Sequence, residues 1–167
     1  MKSFKYKHLL LTSLFSMILI YAFTMIYINK NFDFQLAETT FFLSVPKFIE
    51  IARLFTYSQV QAYIIQATSI DVIWPISYCL FFYILKDKLI IKNKYKILTS
   101  LYILFIFISD MGENFFTARY LIRNNINTAY ASVIATNIKW TAIFVLIIIY
   151  LINLYKIYIN KKKLQDY

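Results

Sequence analysis

An apolar run from Ile97 to Ile108 leads directly into the stretch Ser109-Asp110-Met111-Gly112-Glu113-Asn114-Phe115-Phe116-Thr117. The run is typical of a membrane-spanning helix, so two carboxyl groups and an amide stand where a bilayer disfavours them. Four polar residues share one helical face, since they lie three, four and seven positions apart: Asp110, Glu113, Asn114 and Thr117. An ionisable side chain at the bilayer centre costs roughly 2.5–3.5 kcal/mol. We therefore expect this face to turn towards other helices and to mark a site.

The composition is that of an integral membrane protein. The 167 residues are 60% hydrophobic and 20% aromatic, whereas a soluble domain is usually about 45–50% apolar. The apolar residues come in long runs, and the length leaves room for one domain, which we predict to span residues 1–167. One Gly and two Pro exclude flexible linkers and glycine-rich phosphate loops. Richness in Lys, Ile, Asn and Tyr is typical of proteins from AT-rich bacterial genomes.

Charge, cysteine and histidine usage narrow the functional classes. The net charge of +10 does not indicate nucleic-acid binding, because the basic residues stand in short segments that flank the apolar runs. Cys79 has no cysteine partner, and we expect it to be a small buried hydrophobe. His8 lies beside Lys7 near the N-terminus, where no catalytic role is expected. The absence of a Cys/His cluster predicts no metal site, and nothing in the chain indicates a cofactor.

The apolar runs predict an all-α protein, a polytopic bundle of four transmembrane helices. The predicted spans are residues 9–28, 63–85, 97–117 and 130–155, and each can cross roughly 30 Å of hydrocarbon. The first run lacks a small-residue cleavage site, so we interpret it as an uncleaved span. In the predicted outer loop, residues 29–62, the segment from Pro46 to Tyr57 indicates a short helix that lies at the interface or caps the bundle. Glu50 and Arg53 are expected to pair on that helix.

The distribution of basic residues predicts the orientation. Most lysines lie at the two ends of the chain and in the second connector: Lys2, Lys5, Lys7, Lys86, Lys88, Lys92, Lys94, Lys96, Lys156, Lys161, Lys162 and Lys163. The first and third connectors carry fewer basic residues: Lys30, Lys47, Arg53, Arg119 and Arg123. Since basic residues favour cytoplasmic loops, the pattern predicts a multi-pass plasma-membrane protein with both termini in the cytoplasm.

Charged residues of three predicted spans lie at a similar depth. Asp71 lies about eight residues into the second span, or roughly 12 Å at 1.5 Å per residue. Lys139 lies about nine residues into the fourth span, while Asp110 and Glu113 lie near the end of the third. With both termini inside, all of them lie in the outer half of the membrane. Small residues near Lys139 favour close packing of its face, so we expect these groups to meet in one pocket.

Further polar and aromatic residues complete the predicted ligand-binding set: Trp74, Tyr78, Asn114 and Asn137. For Trp74 and Tyr78, core packing or interface anchoring explains the residues as well as a role in the site does. Pro75 lies one turn after Asp71, and we expect it to kink the helix and to free a backbone carbonyl that lines a cavity.

The predicted pocket has an excess of acid. If all are ionised, the carboxyl groups of Asp71, Asp110 and Glu113 outnumber the ammonium group of the pocket by two. That ammonium group belongs to Lys139. Because like charges in a dry site cannot all persist, either a carboxyl is protonated, or Arg119 folds in, or a cation binds. The three acids are candidate catalytic acid–base groups. The alternative is a structural network in which the lysine bridges carboxylates and fixes how the helices pair.

Three motifs resemble those of an uncharacterised family of small four-span bacterial integral membrane proteins. They read Asp71…Pro75…Tyr78 in the second predicted span, Asp110-Met111-Gly112-Glu113-Asn114 in the third and Thr136-Asn137-Ile138-Lys139-Trp140 in the fourth. The resemblance covers the last three spans, while the first span is generic. It implies a four-span membrane fold and no established activity.

The residues leave three functions open. The first is a pocket in the outer half of the bilayer that binds or modifies a lipid or small amphiphile. The second is a transport or proton-relay component that uses the same carboxyl groups, although no second acidic cluster occurs in the inner half. The third is a non-catalytic interaction or immunity subunit with a membrane-protein partner. No recognisable nucleophile motif is present, so we do not predict an enzyme, and the question of enzymatic activity stays open. The expected partners are membrane lipids, a cation or small amphiphile, or a membrane protein, and not nucleic acid.

Overall fold

The computed structural model describes residues 2–33, 36, 39–90 and 92–165, which form helices joined by short segments. The helices are α1 (Lys2–Asn31), α2 (Val45–Ala52), α3 (Tyr57–Thr68), α4 (Ile70–Leu89), α5 (Asn93–Arg123) and α6 (Ile126–Gln165). No strand occurs in these described ranges. The predicted all-α class is therefore confirmed.

Four helical segments are long and apolar enough to cross a membrane: His8–Asn31, Tyr57–Leu89, Asn93–Arg123 and Ile126–Ile159. Each predicted span lies within one of them. Their outward side chains are large and apolar; Phe15 and Phe23 of α1, for example, are each 63% exposed. Contiguous apolar surface of this kind is rare on monomeric soluble proteins and is typical of contact with a membrane or another protein.

Most helices extend beyond the predicted spans, and the third shows why. The predicted span ended at residue 117, with Arg119 and Arg123 in a loop, but α5 includes both arginines. Arginine is a good helix former, so the helix continues where the apolar run stops. The helix ends at Asn124, whose φ of 49° lies in the left-handed region that Asn adopts more readily than most residues.

The second predicted span consists of two helices. Helix α3 begins at Tyr57 rather than at residue 63, because Thr56 and Gln59 form a capping box in which each side chain bonds the other's backbone N–H. The helix is interrupted at Ser69, and α4 begins at the next residue. Helix α4 continues through Pro75. The break therefore lies on the N-terminal side of Asp71.

The short helix in the first connector is shorter than predicted. It begins after Ser44, whose hydroxyl caps the Lys47 N–H, and it ends at Ala52 rather than at Tyr57. The expected pair of Glu50 with Arg53 is wrong, since Glu50 pairs with Lys47 at 3.1 Å on the same exposed face. The opposite face of α2 is buried in an apolar cluster that includes residues of α5 and α6.

The packing of the long helices positions the site. Helix α1 packs along α4, α4 packs on α5, and α5 packs on α6 along much of its length. We call the end of the bundle that carries residues 31–33, 39–56 and 124–125 the upper end, and the end that carries residues 90 and 92 the lower end. An apolar core between α4, α5 and α6 contains Ile103, Ile106 and Leu146. The polar residues predicted to converge lie between this core and the upper end.

Candidate functional site

Lys139 of α6 lies between two carboxyl groups of α5. Its Nζ is 3.3 Å from Asp110 Oδ1 and also contacts Glu113 Oε2. The side chains of Lys139, Asp110 and Glu113 are 8%, 7% and 1% exposed, respectively. The two acids are three positions apart on α5, so one helical face presents both to the same ammonium group. The polar face that the sequence predicted is thus turned inward.

Hydroxyl groups extend this network towards the upper end. Thr136 Oγ1 lies 2.8 Å from Glu113 Oε1, to which it donates, and 3.0 Å from the Ser132 carbonyl. Ser132 Oγ lies 2.6 Å from Thr117 Oγ1 across the same pair of helices. All four side chains are buried. Small side chains on α6 thus let it approach α5 closely enough for direct hydroxyl–carboxylate contact.

Asp71 joins the site through both its side chain and its backbone. Gln66 Nε2 donates to Asp71 Oδ2 at 2.8 Å, and Asn114 Nδ2 donates to the Asp71 carbonyl at 3.3 Å. In a regular helix that carbonyl would accept from the N–H four residues later, but that residue is Pro75, which has none. The amide of α5 therefore satisfies the carbonyl that proline frees in α4.

Tyr78 connects α4 to the ion cluster. Its hydroxyl donates to Asp110 Oδ2 at 2.5 Å. Asp110 thus receives a hydrogen bond from α4 on one oxygen and an ammonium group from α6 on the other. The Tyr78 ring also packs edge-on against Trp74, with ring centroids 5.7 Å apart. Hydrogen bonds and ion pairs of one network consequently link α4, α5 and α6.

A cavity of about 440 Å³ opens beside this network. Its polar side contains Asp71, Asp110, Asn114 and Lys139, and its remaining walls are mostly apolar or aromatic. Helix α1 supplies much of the apolar wall, from Met17 to Ile28. Small-molecule sites commonly measure roughly 300–1,000 Å³ and combine apolar walls with a few polar groups. The cavity has both properties.

Residues 39–43, the covering segment, lie at the upper end of the cavity. Phe41 lines it and lies against Trp140 of α6, with ring centroids 4.3 Å apart. Asn137 Nδ2 donates to the Leu43 carbonyl at 2.8 Å and so ties the segment to α6. Between these contacts, Phe42 adopts a φ of 53° and is 85% exposed. A bulky residue rarely takes this conformation, so the neighbouring contacts determine the course of the chain here.

Most of the predicted site residues border the cavity. Those that line it are Asp71, Trp74, Tyr78, Asp110, Asn114 and Lys139. Two others have different positions. Glu113 is wholly buried behind the cavity wall, where it contacts Lys139 and Thr136. Asn137 holds the covering segment rather than lining the cavity.

The charge excess is not balanced by Arg119. Its side chain is exposed, and its guanidinium lies 6.0 Å from the centroid of the Phe115 ring on the outer side of α5. Within the described ranges, no group of three or more His, Cys, Asp or Glu residues could hold a metal ion. A proton or a bound cation remains as the alternative for the excess acid.

Sequence reasoning missed several contributors to the site. Gln66 is wholly buried and bonds Asp71, and its amide within a predicted span was a readable signal. Tyr21 and Thr24 of α1 line the cavity, but they stand in an apolar run that looks generic. Phe41 belongs to a connector with no regular pattern, so its position against Trp140 could not be read from spacing.

The chain matches no protein-family model, and no curated protein and no solved structure is significantly similar to it. The resemblance of the three motifs to a four-span bacterial family therefore stays an expectation. Any function must be argued from the cavity and the ion cluster.

Proposed function

We propose that this chain is a four-span protein of a bacterial plasma membrane whose cavity binds a lipid or small amphiphile in the outer half of the bilayer. The observation that carries this proposal is the division of the cavity into a polar side from α4, α5 and α6 and an apolar wall from α1. An amphiphile has the matching division between headgroup and tail. The lysine distribution supports the assignment of the upper end to the outer face, with both termini in the cytoplasm.

The helix arrangement supports entry from the lipid. Helix α1 packs on α4, and α6 packs on α5, while α1 and α6 are not a closely packed pair in the described ranges. Met25 of α1 and Ile143 of α6 both line the cavity, which therefore reaches both helices. A tail could pass between them without crossing the polar network. Enzymatic modification of the ligand would use Asp110 or Asp71 as the acid–base group, since these carboxyl residues border the cavity.

Photo-crosslinking tests this function. The protein is reconstituted with a phospholipid that carries a diazirine in its acyl chain, and the crosslinked peptides are identified by mass spectrometry. We expect crosslinks on residues that line the cavity. Thr24→Phe should remove them, because the larger side chain fills the apolar part of the cavity. Thr12→Phe is the matched control, because Thr12 lies on the exposed side of the same helix. Equal crosslinking of the two variants at the cavity would refute the proposal.

A second function is favoured by one residue. Glu113 is wholly buried, lies off the cavity and contacts Lys139, as expected of an ion pair that fixes helix pairing. In a non-catalytic interaction or immunity subunit, such a pair would only specify the bundle. The crosslinking experiment separates the two functions, since a bundle of this kind needs no cavity ligand.

A further inference from the structure

The cavity wall has a carboxyl group that takes no part in the ion pairs of Lys139. Lys139 is engaged with Asp110 and Glu113, whereas Asp71 has no ion pair within 4.0 Å in the described part of the chain. Asp71 is 7% exposed, lines the cavity and accepts a hydrogen bond from the neutral amide of Gln66. A buried carboxylate is costly unless an opposite charge or a proton compensates it. The position that faces Asp71 across open space is the cavity itself.

Aromatic rings surround the same space. Trp74 and Tyr78 of α4 form an edge-to-face pair, and Tyr21 of α1 lies 5.5 Å from Trp74 between ring centroids. Trp140 and Phe41 form a second aromatic pair at the upper end. All five line the cavity. Aromatic faces attract organic cations, and tryptophan does so most strongly, so the walls favour a cation that is itself partly apolar.

We propose that the cavity binds an organic ammonium group on an apolar chain, with Asp71 as counter-ion and Trp74, Tyr78 and Trp140 as aromatic walls. This inference rests on the proposed function and names the chemical class of its ligand. The apolar chain extends along α1, where Met17, Met25 and Ile28 line the cavity. An anionic headgroup would meet the excess of carboxyl groups and is disfavoured on the same grounds.

Intrinsic fluorescence reports binding directly, because the chain has two tryptophans and both line the cavity. The protein is purified in a non-ionic detergent and titrated with dodecyltrimethylammonium. Its neutral carbon isostere, in which a tert-butyl group replaces the ammonium, is titrated in parallel. We expect a saturable change in fluorescence for the cation. The isostere should bind at least roughly tenfold more weakly. This comparison uses the unaltered protein and does not depend on whether any variant folds.

Variants test whether Asp71 is the counter-ion of the ligand, and competition by lipid nanodiscs tests the source of the ligand. Asp71→Asn should weaken binding of the cation roughly tenfold and leave that of the isostere unchanged. Glu50→Gln, which neutralises an exposed carboxylate on α2, should change neither. Tetramethylammonium, which has no chain, should not compete. Nanodiscs of phosphatidylcholine should compete where those of phosphatidylglycerol do not if the natural source is a lipid headgroup, and neither should compete if it is a free amphiphile.

The outcomes also separate this inference from the proposed function. Equal affinity for the cation and the isostere, or full binding of the cation by Asp71→Asn, would overturn the ammonium assignment and leave an amphiphile pocket. Loss of all saturable binding, together with no cavity crosslinks to the diazirine lipid, would end both proposals.

Discussion

Replacing Lys139 by Met tests how the ion cluster contributes to stability. In the folded protein one ammonium group serves two carboxyl groups, and all three are nearly wholly buried. Lys139→Met therefore leaves two buried carboxyl groups side by side without a cation. Removing one partner of a buried ion pair typically costs about 3–5 kcal/mol, which corresponds to an about 150- to 5,000-fold decrease in the folding equilibrium constant.

The charge count predicts a marked asymmetry between the partners. Glu113→Gln leaves Lys139 paired with Asp110, and the new amide oxygen can still accept from Thr136. We therefore expect its effect to stay within about 1 kcal/mol, the scale of one hydrogen bond. The triple variant Lys139→Met, Asp110→Asn, Glu113→Gln should regain most of the stability lost by Lys139→Met alone, because neither partner of Lys139 then carries a charge.

Unfolding in mixed micelles with increasing sodium dodecyl sulfate, followed by circular dichroism, measures these differences. Lys47→Met is the matched control, since Lys47 forms an ion pair with Glu50 whose side chains are 51% and 67% exposed. Exposed pairs contribute about 0–1 kcal/mol. If Glu113→Gln lost as much stability as Lys139→Met, or if Lys139→Met lost no more than Lys47→Met, the charge argument would be wrong.

Three further predictions concern the rest of the site. Asn114→Ala should destabilise the protein by about 1–3 kcal/mol, because it leaves the buried Asp71 carbonyl without a donor. The loss should be smaller in a Pro75→Ala background, where the backbone N–H of residue 75 can donate to that carbonyl instead. A double-mutant cycle that shows no coupling between the two positions would contradict this. Asn137→Ala should speed amide exchange and proteolysis in residues 39–44, whereas Asn153→Ala, which removes an exposed hydrogen bond within α6, should not. Equal exchange and proteolysis rates in the two variants would show that the Asn137 hydrogen bond does not hold these residues on α6. With Cys79→Ala as background, a cysteine introduced at Asn125 should react with an impermeant maleimide outside intact cells, and one at position 92 should not; labelling at 92 would reverse the topology.

Apolar runs predict much of the architecture, whereas the orientation that the lysine positions indicate stays a prediction. Side-chain spacing on α5 also predicts which face of that helix is polar and inward, because the 3.6-residue period is a local property. The helix bounds were less accurate. The Thr56–Gln59 capping box was readable from sequence and moves the start of α3 upstream, but Ser69, where the helix breaks, makes no side-chain cap hydrogen bond to α4.

The candidate site was predictable where charge in an apolar run made it conspicuous. Asp71, Asp110 and Lys139 were found because each is costly in a membrane unless other groups compensate it. Glu113 and Asn137 were assigned to the pocket, but whether a polar group lines a cavity or lies behind it depends on side-chain direction across helices. The wall supplied by α1 could not be predicted, since Met17 and Thr24 resemble any other residues of a lipid-facing helix.

The attachment of α1 has a consequence for biogenesis. Helices α4, α5 and α6 are joined by ion pairs and buried hydrogen bonds, whereas α1 packs on α4 largely through apolar and aromatic surfaces, and its Tyr27 hydroxyl donates to the Ala62 carbonyl of α3. Ser13 and Thr24 of α1 bond carbonyls of their own helix. Helix α1, which precedes α4 in the chain, can therefore remain in lipid as a self-sufficient segment until α4 is inserted. A chain divided within the segment that follows α1 should accordingly reassemble when its two pieces are co-expressed.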